Sequence, residues 1–132
     1  MITLFAFLIL FYSQGNILQV KNQWVRPGAK GMATALYFEV ENPTDKPDTL
    51  YKITSDISSM IQLHETYTKD ELMGMRKVGK FVIKPKTSLE LKPGGYHIMV
   101  MKLKKDIKKG DEIEFKLHFR NAGSIIIRAK VK

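Results

Sequence analysis

His64, Met75, His97 and Met99 stand out in this chain for what their side chains can do together: a histidine, a methionine eleven residues on, and a His-x-Met pair twenty-two residues after that. Imidazole nitrogen and thioether sulfur form a soft, neutral ligand set that suits Cu(I). Zinc sites in proteins use Cys, His and carboxylate, while Ca²⁺ and Mg²⁺ require oxygen. The set therefore predicts monovalent copper as the bound ion. With 3 His and 7 Met among 132 residues, a shuffled chain shows this spacing on the order of one time in ten thousand. Singly, each residue has an ordinary alternative, because a lone strand histidine is usually a satisfied surface or core group and methionine fills gaps in cores. The joint spacing sets them apart.

Other residues of the same types are read more plainly. Met73 and Met101 lie two positions from Met75 and Met99, so they share those residues' faces in an extended chain and are expected to pack beside the site. Met32 and Met60 fall outside the pattern and are expected in the core. His118 lies on the polar phase of an alternating segment and is expected at the surface, without a metal role.

The elements that must position these side chains are strands. Segments 18–26, 34–41, 49–55, 61–66, 73–83, 88–91, 97–103, 112–119 and 124–131 are short and rich in β-branched and aromatic residues. Between them fall Asn42-Pro43, Lys46-Pro47, Lys84-Pro85, Pro93-Gly94-Gly95, Lys109-Gly110-Asp111 and Asn121-Ala122-Gly123, which carry turn chemistry. Sustained helical periodicity is absent. Ile113, Phe115, Leu117 and Phe119 alternate with Glu114, Lys116, His118 and Arg120, the signature of a strand with one wet face. About eight or nine strands at this spacing predict an all-β fold, an antiparallel Greek-key β-sandwich.

Strand geometry bears directly on the ligands. His97 and Met99 leave the same face of an extended chain about 6 to 7 Å apart at Cα, close enough to grip one ion, while Ile98 and Val100 point to the core. Pro93-Gly94 just before them predicts a type II turn with Gly94 at positive φ, carrying the pair to the rim of the sandwich. His64 and Met75 flank a turn-like stretch, Tyr67 to Glu71. The four residues meet if these two loops are neighbours.

Composition narrows the functional classes. At 132 residues and 44% hydrophobic content the chain fills one core and not two. Cysteine is absent from it, which removes disulfides, thiolate metal sites, blue-copper chemistry and a lipid-attachment cysteine together, and which suits an oxidising compartment. The formal charge is +9, yet the lysines are spread along the chain and form no recognisable nucleic-acid motif with the aromatics, so no nucleic-acid partner is expected. The densest basic cluster, Lys102, Lys104, Lys105, Lys108 and Lys109, is expected as a solvated surface that could also touch an acidic partner or a membrane surface. Met1 to Tyr12 is an apolar run broken only by Thr3, too short to span a membrane and followed by small residues before and at Gly15. Residues 1–15 are therefore expected to be a signal peptide, and residues 16–132 the exported domain.

The spacing His64-x10-Met75-x21-His97-x-Met99 resembles the signature of the PCuAC family of periplasmic copper chaperones. The surroundings agree: Trp24-Val25-Arg26, Ala33 to Asn42, Leu63 to Thr66, and Lys92 to Met99 are similar to the corresponding stretches of that family. The likeness spans roughly residues 20 to 131. It implies a cupredoxin-like version of the sandwich, with His64, Met75, His97 and Met99 as the Cu(I) ligands. It further implies a carrier without catalysis, delivering copper to the dinuclear copper centre of cytochrome c oxidase or to another copper assembly factor. An exported adhesion or scaffold domain with incidental His and Met residues is the alternative from a different class, and a copper oxidoreductase would need an open substrate position.

The apolar start generates the first test. Intact mass spectrometry of exported protein should show a chain beginning near Asn16; a mature chain still starting at Met1 would overturn the signal-peptide assignment.

Overall fold

Alternation with a period of two is the organising pattern of the chain. In the computed structural model, which describes residues 17–132, that pattern yields ten strands: β1 (Gln19–Val25), β2 (Thr34–Asn42), β3 (Asp48–Thr54), β4 (Met60–Lys69), β5 (Leu72–Val78), β6 (Phe81–Ile83), β7 (Thr87–Glu90), β8 (Tyr96–Met101), β9 (Glu112–Phe119) and β10 (Gly123–Val131). The expected signal segment, residues 1–15, lies outside the described residues. Strand order is β5-β4-β8-β2-β1-β10-β9-β3-β6, with β7 paired to β2. Neighbours are antiparallel except β1 and β10, which run parallel. β3 also packs against β4, and β2 against β6, so the hydrogen-bonded path doubles over and encloses the core as a sandwich.

The core is filled from the inward phase of each strand. Leu36, Phe38 and Val40 of β2, Leu63 of β4, Ile98 and Val100 of β8, and Ile113, Phe115, Leu117 and Phe119 of β9 are buried in one cluster. Two bulges keep the phase correct. Between Lys21 and Trp24 the β1–β2 register shifts, with Asn22 at φ 58°. The extra residue moves the inward phase from Leu18 and Val20 to Val25 and turns Trp24 to the other face, opposite Tyr37. A second shift between Leu50 and Lys52 does the same in β3, seating both Leu50 and Ile53 in the core.

The sequence-based fold class holds, with three differences of detail. The expected strand over 73–83 is two strands, because β5 pairs with β4 and β6 with β3. The chain crosses between the layers at Gly79-Lys80, where no turn dipeptide marks the change. The expected turn over Tyr67 to Glu71 shrinks to Asp70-Glu71, because Tyr67, Thr68 and Lys69 continue β4 against Gly74, Met73 and Leu72. The ladder bonds gained by pairing outweigh the polar character of those residues. Finally, Met32 and Met60, expected inside, are 62% and 38% exposed. The core cluster contains no methionine at all among the described residues, since branched and aromatic side chains already fill the inward strand positions.

Asp70 and Glu71 have φ of 53° and 65°, the type I′ geometry of a two-residue hairpin, which favours Asn-Gly. Replacing Asp70→Asn with Glu71→Gly should stabilise the apo domain by about 1 kcal/mol and raise its Tm by a few degrees. A lower Tm in thermal unfolding would contradict this hairpin geometry.

Candidate metal centre

The β4–β8 ladder sets the site. Its register pairs Leu63 with Ile98, His64 with His97, Gln62 with Met99, and Met60 with Met101. Leu63 and Ile98 face the core, so the pairs on either side of them face outward on the far side of the sheet. On the neighbouring strand β5, Lys77 pairs with His64 and Met75 with Thr66, which puts Met75 one diagonal step from His64 on the same outer face. On the other neighbour, β2, Ala35 pairs with Met99. The four residues singled out by spacing thus share one face of three adjacent strands. The expected rim between two loops is replaced by a sheet face, because the β4–β5 hairpin is strand almost to its tip.

A cavity of about 490 Å³ opens on this face, lined by Met73, Met75, His97 and Met99, with Pro93-Gly94 at one side and Arg26, Ala35 and Tyr37 at the other. His64 adjoins it through the His97 ring, their centroids 5.6 Å apart and their planes inclined at 54°. Exposure is graded across the set: His97 is 4% exposed and Met75 57%. No carboxylate lines the cavity, and among the described residues no group of three or more His, Cys, Asp or Glu comes together. The face therefore offers nitrogen and thioether sulfur, not the oxygen cage of a hard cation.

Both imidazoles are oriented by partners that can only accept. His64 Nε2–H donates to Gln62 Oε1 at 3.0 Å, and His97 Nδ1–H donates to the Gly95 carbonyl at 3.2 Å. Each bond fixes the tautomer and leaves the other nitrogen with a free lone pair. Those nitrogens, His64 Nδ1 and His97 Nε2, are buried and have no hydrogen-bond partner. A buried polar atom normally finds one, so the pair fits a ligand that accepts lone pairs. The orienting carbonyl is itself placed by the turn expected from sequence. Gly95 N–H donates to Lys92 O at 3.0 Å with Gly94 at φ 84°, a type II turn around Pro93-Gly94. Thr66 N–H then donates to Gly95 O at 3.2 Å, tying the turn to β4.

The remaining candidates sort by strand. Met73 is 72% exposed at the cavity's open side, and Met101 lies beyond Met99 on β8. His118 is remote from these residues, on the outer face of β9, where Thr54 and Ser124 hydroxyls lie 3.1 and 3.4 Å from its two nitrogens. Lys102, Lys104, Lys105, Lys108 and Lys109 are exposed in the loop after β8. Two contributors escaped the sequence reading. Gln62 was discoverable, since it lies two before His64 on the same strand phase. The cavity wall of Arg26 and Tyr37 was not: Trp24 backs it, its ring 4.8 Å from that of Tyr37 and Arg26 5.6 Å from each, because the bulge at Asn22 turns Trp24 to that face.

Comparisons with known proteins agree with this architecture. The family model described as "Putative lipoprotein LpqE-like" matches residues 18–131. The chain is 36% identical over 121 residues to "Putative lipoprotein Lxx21020" of Leifsonia xyli subsp. xyli, covering 90% of this chain and 72% of the relative. Among solved structures, the copper-bound PCuAC domain from PmoF2 superposes with a TM-score of 0.75 at 25% identity, covering 87% of this chain and 92% of that one. The Cu(I) form of DR1885 from Deinococcus radiodurans superposes with a TM-score of 0.69 at 26% identity, covering 91% of this chain and 83% of that one.

Burial, with the nearby His97 and Lys77, lowers the pKa of His64 below its ordinary 6.5. Burial, with Lys116 and Lys52, does the same for His118. Unfolding restores the ordinary value, so the unfolded chain binds more protons in this range and folding stability must drop on acidification. The contribution is complete above pH 6.5 and is lost as the pH falls through the lowered folded values. Thermal unfolding of the apo domain should show a Tm decreasing from pH 7 to pH 5, with a shallower slope in His64→Asn. An unchanged slope would remove His64 as a source.

Proposed function

Because this chain belongs to the LpqE-like family and folds as a PCuAC-type copper-chaperone domain, we propose that it is an exported carrier that binds one Cu(I) through His64, Met75, His97 and Met99. The observation that carries this reading is the pair of facing imidazoles, each with one nitrogen tied to an acceptor and the other buried without a partner. His64 Nδ1 and His97 Nε2 would hold the ion from the sheet side, and the thioethers of Met99 and Met75 would complete a neutral set. The coordinated ion keeps its single charge, and no thiol proton is released. Relatives named for copper-bound and Cu(I) states support the same cargo.

Graded exposure suits delivery. The most exposed ligand, Met75, faces solvent, while His97 lies at the bottom of the site. An acceptor would therefore displace Met75 first and the histidines last, a stepwise exchange without a free aqueous ion. Absence of a carboxylate at the cavity favours release over storage, since nothing there adds Coulombic attraction to the ion. The acceptor proposed is the dinuclear copper centre of cytochrome c oxidase or another copper assembly factor. Export, and a periplasmic or otherwise extracytoplasmic location, rest on the apolar first residues and on a family described as lipoproteins. This sequence has no cysteine to carry a lipid.

Cu(I) competition titration tests the ligand set. Replacing His64→Ala with His97→Ala, or Met99→Ala alone, should weaken Cu(I) binding at least about 100-fold, more than loss of an outer partner does. The apo melting temperature should change by only a few degrees, because the core lies on the other face. His118→Ala should leave affinity unchanged. Wild-type affinity in the double histidine variant would overturn the assignment.

A further inference from the structure

Methionine is distributed unevenly. Of the 7 methionines in the sequence, Met60, Met73, Met75, Met99 and Met101 lie on the outer face of β4, β5 and β8, and among the described residues no methionine enters the core cluster. Core packing therefore does not explain them, and β-branched residues would suit outer-face strand positions better. Met75 and Met99 belong to the site proposed above. Met60 and Met101 do not, yet they form a direct cross-strand pair. That pairing places their Cα atoms about 4.5 to 5.5 Å apart.

Their backbones are pinned together by one buried hydroxyl. Ser58, 2% exposed, donates its O–H to the Met101 carbonyl and accepts the Met60 N–H at 3.0 Å. The pair sits at the end of β4–β8 opposite the Pro93-Gly94 turn. Met99 is two residues before Met101 on the same phase, about 6 to 7 Å away at Cα. Three flexible thioethers can therefore reach a common point, which is one step along the strand from the two imidazoles.

We propose that Met60, Met99 and Met101 form a second, all-thioether Cu(I) station that shares Met99 with the histidine site and serves as a transfer port for the ion. Movement between the two stations keeps the Met99 sulfur bound while the bonds to the Met75 sulfur, His64 Nδ1 and His97 Nε2 break and bonds to the Met60 and Met101 sulfurs form. The copper stays monovalent throughout, no electron moves, and no proton is released. The all-thioether station is the weaker of the two, because imidazole is the better σ-donor. The inference rests on the His/Met reading above for its shared ligand and its direction of transfer.

The probes are Cu(I) and the redox-silent Ag(I), titrated into the full exported chain. Met60→Leu with Met101→Leu conserves volume at positions outside the core cluster and should fold normally, checked by thermal unfolding. Because the two stations share Met99, wild type should hold one tight equivalent of Ag(I), and so should this variant. First-site Cu(I) affinity should stay within about twofold, while withdrawal of Cu(I) by an external chelator slows about tenfold. In the His64→Ala, His97→Ala background a weak Ag(I) site should persist and should vanish when Met60→Leu and Met101→Leu are added. Ag(I) binding unchanged by that addition, or chelator withdrawal at an unchanged rate in the leucine variant, would overturn the port while leaving the histidine site intact. Undiminished Cu(I) affinity in the double histidine variant that is lost when the two leucines are added would instead overturn the histidine site and retain the thioether station.

Discussion

The β4–β8 ladder is the constraint on which the rest depends. Its period-two alternation sends Leu63, Ile98 and Val100 into the core and His64, His97 and Met99 to the opposite face. A slip of one residue would exchange the two sets, burying imidazoles in a hydrocarbon core and exposing the residues that close it. The same register that stabilises the fold therefore aligns the candidate ligands. Fold stability and ligand geometry are coupled through one ladder, although the residues responsible for each lie on opposite sides of it.

Around that ladder, neighbouring elements supply orientation. The type II turn at Pro93-Gly94 presents the Gly95 carbonyl to both Thr66 N–H and His97 Nδ1–H, linking turn, strand and ring in one network. Gln62, one strand repeat from His64, does the same for the second ring. One nitrogen of each ring is thereby tied to an oxygen, and the other is left buried without a partner. The lowered pKa of His64 acts in the same direction, since burial and neighbouring cationic groups disfavour the protonated form.

The proposed His/Met set differs from a blue-copper centre in its donors. Thioethers prefer the reduced ion, and the absence of cysteine removes the thiolate that underlies blue-copper electron transfer. Binding and handing on require only ligand exchange, which flexible methionines at graded exposure can perform. Concentrating methionine on one face also spares the core the flexible packing and oxidation sensitivity that methionine would introduce there.

Much of this was legible in the order of residues. The inward phase of β9 follows from Ile113, Phe115, Leu117 and Phe119, the positive φ of Gly94 from Pro93-Gly94, and the shared face of His97 and Met99 from their separation by two. Each is a local consequence of strand pleat or turn stereochemistry, so one stretch of chain contains all the information needed. Pairing between distant stretches is different. That His64 lies opposite His97, that Met60 lies opposite Met101, and that the chain changes layers at Gly79-Lys80 depend on which strands become neighbours. So does the presentation of Trp24 beside Tyr37 after the bulge at Asn22. These features arise when two segments far apart in sequence close a shared core, and only the tertiary structure decides them, because many strand orders satisfy the same local alternation and a single one buries all the inward phases together.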